Sequence, residues 1–120
     1  MVNLTQFASA ALLLLPLVTA QAPVAELFDD MYYEGARITI PADGNCYDLK
    51  NLTPDLTRKV SSMKVPDGYY CAINEYKQCS GVGVLKLRAS TNSLYNQGWN
   101  DKIMSVMCLK GRKKSKGGRR

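Results

Sequence analysis

Four cysteines, Cys46, Cys71, Cys79 and Cys108, limit how this chain can fold more than any other feature. The sequence holds no histidine and no CxxC pair, so a zinc site lacks its usual ligands. An even cysteine count in 120 residues, room for one domain, reads instead as two disulfides stapling a small core. Three pairings are formally possible. The expected one joins Cys71 to Cys79, closing a hairpin, and Cys46 to Cys108, tying the early part of the domain to its last strand. On the loop-entropy model the long bridge would contribute roughly 4 kcal/mol and the short one roughly 2.5–3 kcal/mol.

The start of the chain agrees with an oxidising destination. MVNLTQFASAALLLLPLVTAQA has a polar opening, an apolar run from Ala8 to Val18, and small residues at Val18 and Ala20. That pattern predicts a signal peptide over residues 1–20, cut between Ala20 and Gln21. The run falls short of the roughly 20 apolar residues of a membrane span. The mature protein is therefore expected to be secreted, extracellular and monomeric.

Charge is distributed unevenly. The formal net charge is +6, yet Lys110, Arg112, Lys113, Lys114, Lys116, Arg119 and Arg120 crowd the last eleven residues without an acid among them. The other 109 residues hold nine of the sixteen basic residues against all ten acids, so that part of the chain sits at −1. Residues 110–120 are too polar to offset the entropy of ordering and are expected to be a disordered basic tail. A run of this kind binds anionic membranes or cell-wall phosphates through counterion release. Behind a secretory leader, a specific nucleic-acid partner is not expected. The opposite sign gathers in residues 21–35, where Glu26, Asp29, Asp30 and Glu34 suggest an acidic leader, loosely ordered or forming one helical turn.

From Ala36 the hydrophobic pattern has period two, which predicts strands. ARITI sets Ile38 and Ile40 on one face, and Pro41 with DGN ends it. CYDL, VSSMKV before a PDG turn, YYCAINEY before SGVG, LKLRA with Leu85, Leu87 and Ala89 inward, and KIMSVMCLK complete the series. Six or seven short strands and no convincing amphipathic helix point to an all-β sandwich over residues 36–109.

Two segments echo each other: LTPDLTRKVSSMKV (52–65) and LYNQGWNDKIMSVMC (94–108). Each carries a leucine, a polar turn, a basic residue before a β-branched one, and a serine in an apolar strand, which suggests two similar β units. NEYKQCSG (74–81) resembles the folded-hairpin signature of βγ-crystallins, with Asn74 where an aromatic is usual. NDKIMS (100–105) resembles that family's calcium motif, and TRKVSS (57–62) occupies the matching place in the first unit, where no clear hairpin signature stands. The arrangement is similar to that of small secreted microbial, especially fungal, members. The resemblance implies two Greek-key units forming a disulfide-stabilised βγ-crystallin-like sandwich.

It also implies a calcium loop, which the residues serve badly. Calcium takes six to eight oxygens. Arg58 stands where an acid belongs, and Met104 offers a thioether, a poor partner for a hard cation. On strand alternation Met104 is expected to fill the core beside Val106 and Cys108. One half-site, Asp101 with the Ser61 hydroxyl, is the remaining metal candidate. No other cofactor is expected, and the alternative role for Asn100 and Asp101 is to cap a turn, with Trp99 covering the core.

Catalysis has little to work with. Without histidine the usual Ser–His and Cys–His nucleophile systems are absent. Asp43, Asp48, Asp67 and Glu75 are available for a carboxylate pair, but no spacing singles one out. Asn51-Leu52-Thr53 is an N-glycosylation acceptor. Doubled tyrosines at 32–33 and 69–70 would place one ring inward and one outward. Together with the βγ-crystallin resemblance, whose secreted relatives imply a killer-toxin-like type, the expectation is a non-enzymatic effector, elicitor or antimicrobial acting at cell surfaces and on a host or target-cell protein. A secreted protease inhibitor using TNSLYNQG (91–98), or a structural calcium-binding wall protein, is the alternative.

Overall fold

A computed structural model describes residues 23–81 and 83–111. The signal peptide expected over residues 1–20 and the basic run from Arg112 to Arg120 lie outside the described residues. Seven strands run in order: β1 (Val24–Asp30), β2 (Glu34–Pro41), β3 (Cys46–Asp48), β4 (Ser62–Lys64), β5 (Tyr69–Asn74), β6 (Val84–Leu87) and β7 (Ser105–Lys110). All ladders are antiparallel, in one sheet of order β2-β1-β4 and one of order β3-β7-β5-β6. The described helical pieces are three-residue 3₁₀ turns.

Topology shows two interlocked units. Strand β3 follows β2 in sequence yet pairs with β7, its Tyr47 opposite Val106. Reciprocally, Thr91, which follows β6, bridges to Met63 of β4. Each sheet thus takes a fourth strand or bridge from the other half of the chain. Neither unit can close its sheet alone, which is why two Greek keys make one domain.

The core lies between the sheets. Leu27, Ile40, Leu49, Met63, Ile73, Leu94, Ile103, Val60 and Val106 are completely buried. Alternation explains most of them: Ile38 and Ile40 point inward from β2 while Arg37 and Thr39 stay exposed, as the period-two pattern predicts. Ala25 and Leu27 do the same on β1.

Strand β1 corrects the sequence reading. The residues expected to be an acidic leader ahead of a domain boundary at Ala36 form the middle strand of the first sheet, and that boundary falls inside β2. Glu26, Asp29 and Asp30 stand on the wetter positions, and Glu26 meets Arg37 across the ladder at 3.1 Å. A charge count over the segment hid the alternation of Ala25 and Leu27 beneath it.

The disulfides are Cys46–Cys79 and Cys71–Cys108, not the pairing expected from the sequence. Cys71 and Cys108 are opposite each other in the β5–β7 ladder, both fully buried. Cys79 lies beyond the end of β5, on a hairpin that folds back over the start of β3, where Cys46 waits. All four cysteines are oxidised, so the fold belongs to an oxidising environment.

Three smaller expectations change. Ala89 is exposed beyond the end of β6 rather than inward. Met104 precedes β7 and is half-buried; Ile103 fills the core instead. Lys110, assigned to the tail, is the last residue of β7.

Candidate functional site, the crossed loops

The two echoing segments meet. Backbone hydrogen bonds relate them pairwise: Arg58 N–H donates to Ile103 C=O at 2.9 Å, and Asp101 N–H to Val60 C=O at 3.1 Å. Ser61 N–H donates to Phe28 C=O and Met104 N–H to Asn74 C=O, both at 2.8 Å. Leu94 N–H reaches Ser61 C=O at 2.8 Å, and Leu49 N–H reaches Met104 C=O at 3.0 Å. This reciprocity makes Leu49, not Leu52, the counterpart of Leu94, and both are fully buried.

Each loop turns through a left-handed residue, Arg58 at φ 57° and Asp101 at φ 59°. Aspartate tolerates that conformation through its short polar side chain; arginine has no such compensation. Buried Val60 and Ile103 then anchor the loops from below.

A second pair of side chains emerges that sequence inspection registered only as part of the echo. Ser62 and Ser105 are fully buried. Ser105 Oγ donates to Tyr76 C=O at 2.5 Å and accepts from Cys79 N–H at 2.9 Å. Ser62 Oγ donates to Asp30 C=O at 2.6 Å and accepts from Tyr33 N–H at 2.9 Å. Each serine clamps the bend of its own unit's hairpin.

The first hairpin is therefore Phe28 to Gly35, inside the segment taken for a leader. Its signal was a shared spacing: Phe28, Tyr33 and Gly35 stand at the same intervals as Asn74, Cys79 and Gly81. In the first hairpin the rings of Phe28 and Tyr33 meet edge to face at 5.8 Å, with Lys64 Nζ 5.0 Å from the Tyr33 ring. In the second, Asn74 Oδ1 replaces the ring, accepting from Tyr76 N–H at 3.1 Å and Gly81 N–H at 2.9 Å. Cys79, in Tyr33's place, is tied to Cys46. Glycine is required at both ends, because a Cβ on Gly35 would collide with Asp29 Oδ1 and one on Gly81 with Asn74 Oδ1.

The arrangement brings Asp101 beside Ser61 and sets Arg58 beside Met104, through the same reciprocal bonds. Of the oxygens a calcium loop would use here, the Asp101 side chain is exposed, Ser61 is buried, and Asn100 Oδ1 is buried without a hydrogen-bond partner among the described residues. Oxygens of this kind suit a hard cation; the guanidinium of Arg58 and the thioether of Met104 do not. Among the described residues no three His, Cys, Asp or Glu side chains cluster in a metal-binding group.

The remaining candidates scatter. Asn51 is exposed at the end of a 3₁₀ turn. Asp43 accepts from Tyr47 Oη at 2.7 Å and Asn45 N–H at 3.0 Å, which holds its carboxyl below the ordinary value and raises the Tyr47 phenol. Asp48 Oδ1 accepts from Gln78 N–H at 2.6 Å. Both acids are turn and hairpin caps. Asp67 lies in the turn before β5, and Glu75 just after it. Tyr95, in the loop 91–98, is 72% exposed between buried Leu94 and the turn at Gly98. Of the doubled tyrosines, Tyr69 packs against the core and Tyr70 does not. Tyr32 and Tyr33 occupy the hairpin bend instead of a strand, at φ 60° and 61°.

No family model matches the chain, and no curated protein matches it. Solved structures do. A βγ-crystallin domain from Flavobacterium johnsoniae superposes with a TM-score of 0.64 at 21% identity, covering 77% of this chain and 100% of that one. The fold is that of a βγ-crystallin domain. A double mutant of a βγ-crystallin domain from Clostridium beijerinckii is similar at TM-score 0.62 and 25% identity over 72% of this chain and 97% of the other. The N-terminal domain of Protein S gives 0.62 at 18% identity, covering 73% and 97%. Within the βγ-crystallin fold, the loops 57–62 and 100–105 are the pair that the sequence resemblance picked out.

Proposed function

We propose that this chain is a small secreted, non-enzymatic protein of microbial, fungal origin that acts outside the cell at anionic surfaces, as an effector, elicitor or antimicrobial. The observation that carries the reading is the separation of charge from fold. Residues 1–109 have a formal charge of −1 and include a β sandwich closed by two disulfides, while seven basic residues follow without an acid. The folded body would present surface, and the basic run would raise its concentration at an anionic boundary. The acids considered for catalysis are occupied as caps or stand apart, which supports a non-enzymatic role.

A dose–response of cell damage on fungal, bacterial and plant cells tests this. Mature protein is compared with a form ending at Gly111, which keeps the whole of β7, at low and moderate salt. Damage by the intact form, with potency lost on truncation most at low salt, where the charges are least screened, is the expected result. Inactivity of both forms on all three cell types would sink it.

A second reading rests on the loop 91–98, where Tyr95 projects from a turn anchored by buried Ser93 and Leu94. An exposed side chain on an anchored loop is what a protease inhibitor would need to present, and titration of secreted proteases with the mature protein separates this reading from the first.

A further inference from the structure

We propose that the outward face of the four-stranded sheet, centred on Tyr70 and edged by Lys86 and Arg88, docks onto an anionic phospholipid bilayer. The proposal rests on the reading of this chain as a protein acting at anionic surfaces, and names both the surface and the patch that meets it.

Ladder register defines the face. Cys71 and Ile73 of β5 and Val106 and Cys108 of β7 are buried between the sheets. Alternation therefore turns Tyr70, Ala72, Met107 and Leu109 outward. Ala72 is opposite Met107 and Tyr70 opposite Leu109, so the four half-buried groups are contiguous on the two central strands.

The cations stand along one edge of this patch. Lys86 of β6 is opposite Ala72, and its Nζ lies 5.7 Å from the Tyr70 ring centre. Arg88, just past β6, brings its Cζ to 5.1 Å from the same ring. Two like charges on one tyrosine repel unless an anion joins them. Among the described residues the one ion pair is Arg37–Glu26, on the other sheet, so neither Lys86 nor Arg88 has an acidic partner within bonding distance. The nearby acids are placed elsewhere: Asp48 is at the far end of the sheet, capping Gln78, and Asp67 is in the turn before Tyr69.

The chain also leaves from this end. Lys110 is opposite Tyr69, and Gly111 N–H donates to Gly68 C=O at 2.7 Å. The sequence then continues with Arg112, Lys113 and Lys114. Sheet cations and basic sequence thus begin within a few residues of each other.

A soluble polyanion would need only the positive charges. Here they edge a tyrosine, a leucine and a methionine. Tyrosine favours the membrane interface, with its ring among the acyl boundary and its hydroxyl wet, and long basic side chains lay their stems on apolar surface while the heads reach phosphate. Apolar centre and cationic edge together match a bilayer surface.

The test is partitioning of the disulfide-intact mature chain onto phosphatidylcholine vesicles with and without phosphatidylserine. The double variant Lys86→Gln/Arg88→Gln is compared with Lys50→Gln/Lys59→Gln, an equal charge change at exposed positions away from this face. At about fivefold for each basic residue near an anionic surface, the first pair should lose about thirty-fold in partitioning and the second less than about threefold. Melting of all forms checks that folding is unchanged. Equal losses for both pairs would overturn the assignment, as would binding to immobilised inorganic polyphosphate without binding to vesicles. If truncation after Gly111 abolishes vesicle binding while Lys86→Gln/Arg88→Gln has no effect, the sheet face is refuted and the tail reading survives. Vesicle binding without damage to any cell sinks the toxic function and leaves the docking face standing.

Discussion

Replacing Ser105 with alanine isolates what holds the second hairpin. The hydroxyl is fully buried and serves two backbone groups of the bend, the Tyr76 carbonyl at 2.5 Å and the Cys79 N–H at 2.9 Å. Removing it leaves one acceptor and one donor without partners. An orphaned buried polar group costs about 1–3 kcal/mol, and these two are only partly buried, so the lower half of that range applies to each. The expected loss is about 2–4 kcal/mol, a large part of the stability of a domain this small. Urea unfolding followed by tryptophan fluorescence should show a lower midpoint with an unchanged slope, the mark of altered stability rather than an altered unfolded state. Ser90→Ala is the comparison: its hydroxyl accepts from Val65 N–H at 2.9 Å but the residue is exposed, so water replaces the bond and the loss stays below about 1 kcal/mol. Hydrogen exchange at the Cys79 amide should accelerate in Ser105→Ala and not in Ser90→Ala. A loss below about 0.5 kcal/mol for Ser105→Ala, with Cys79 protection intact, would refute the view that the serine clamps the hairpin.

Four further outcomes are expected. Trypsin digestion without reduction should yield cross-linked peptides joining residues 38–50 to 78–86 and 65–77 to 103–110, since the four cysteines fall in separate tryptic peptides. Each bridge closes a loop of similar length, with sequence separations of 33 and 37, so removing either as a double alanine variant should cost about 4 kcal/mol, read from the urea midpoint. Calorimetry should find no more than one calcium ion per chain, lost in Asp101→Asn and kept in Arg58→Gln; two ions would contradict the exclusion of the Arg58 and Met104 side. The Tyr47–Asp43 bond should appear in pH titration. The Asp43 carboxyl is depressed by Tyr47 and by Asn45 N–H, so its contribution is present above the ordinary aspartate value of 3.8 and fades as pH falls through the lowered one. The Tyr47 phenol is raised, chiefly by the same bond, so its contribution is present below 10.0 and fades as pH rises past the raised value. Asp43→Asn should return the Tyr47 ultraviolet titration towards ordinary tyrosine, and no change would remove the bond from the account.

Much of the crossed-loop site was visible as repetition. TRKVSS and NDKIMS share spacing because both loops need a turn, a buried β-branched anchor and a serine in the same order. Arg58 and Met104 could be judged as poor cation ligands from chemistry alone. The first hairpin was missed because Phe28, Tyr33 and Gly35 lie among acids, and charge composition is a weaker guide than spacing when a strand has one wet face. The Tyr70, Lys86 and Arg88 cluster joins two strands whose alignment depends on register, which no local pattern records.

The sequence by itself determined the inward faces of most strands, the all-β class, the presence of two disulfides and the segregation of positive charge at one end. These follow from local alternation, turn chemistry and composition, which act over a few residues. Tertiary structure alone decided which cysteines pair, that β1 is the centre of a sheet, and that β3 and Thr91 cross to the other unit. Those outcomes depend on which distant backbones share hydrogen bonds. Cys71 meets Cys108 because β5 lies beside β7 in one register. A shift of one residue in that ladder would have turned one of them out to solvent.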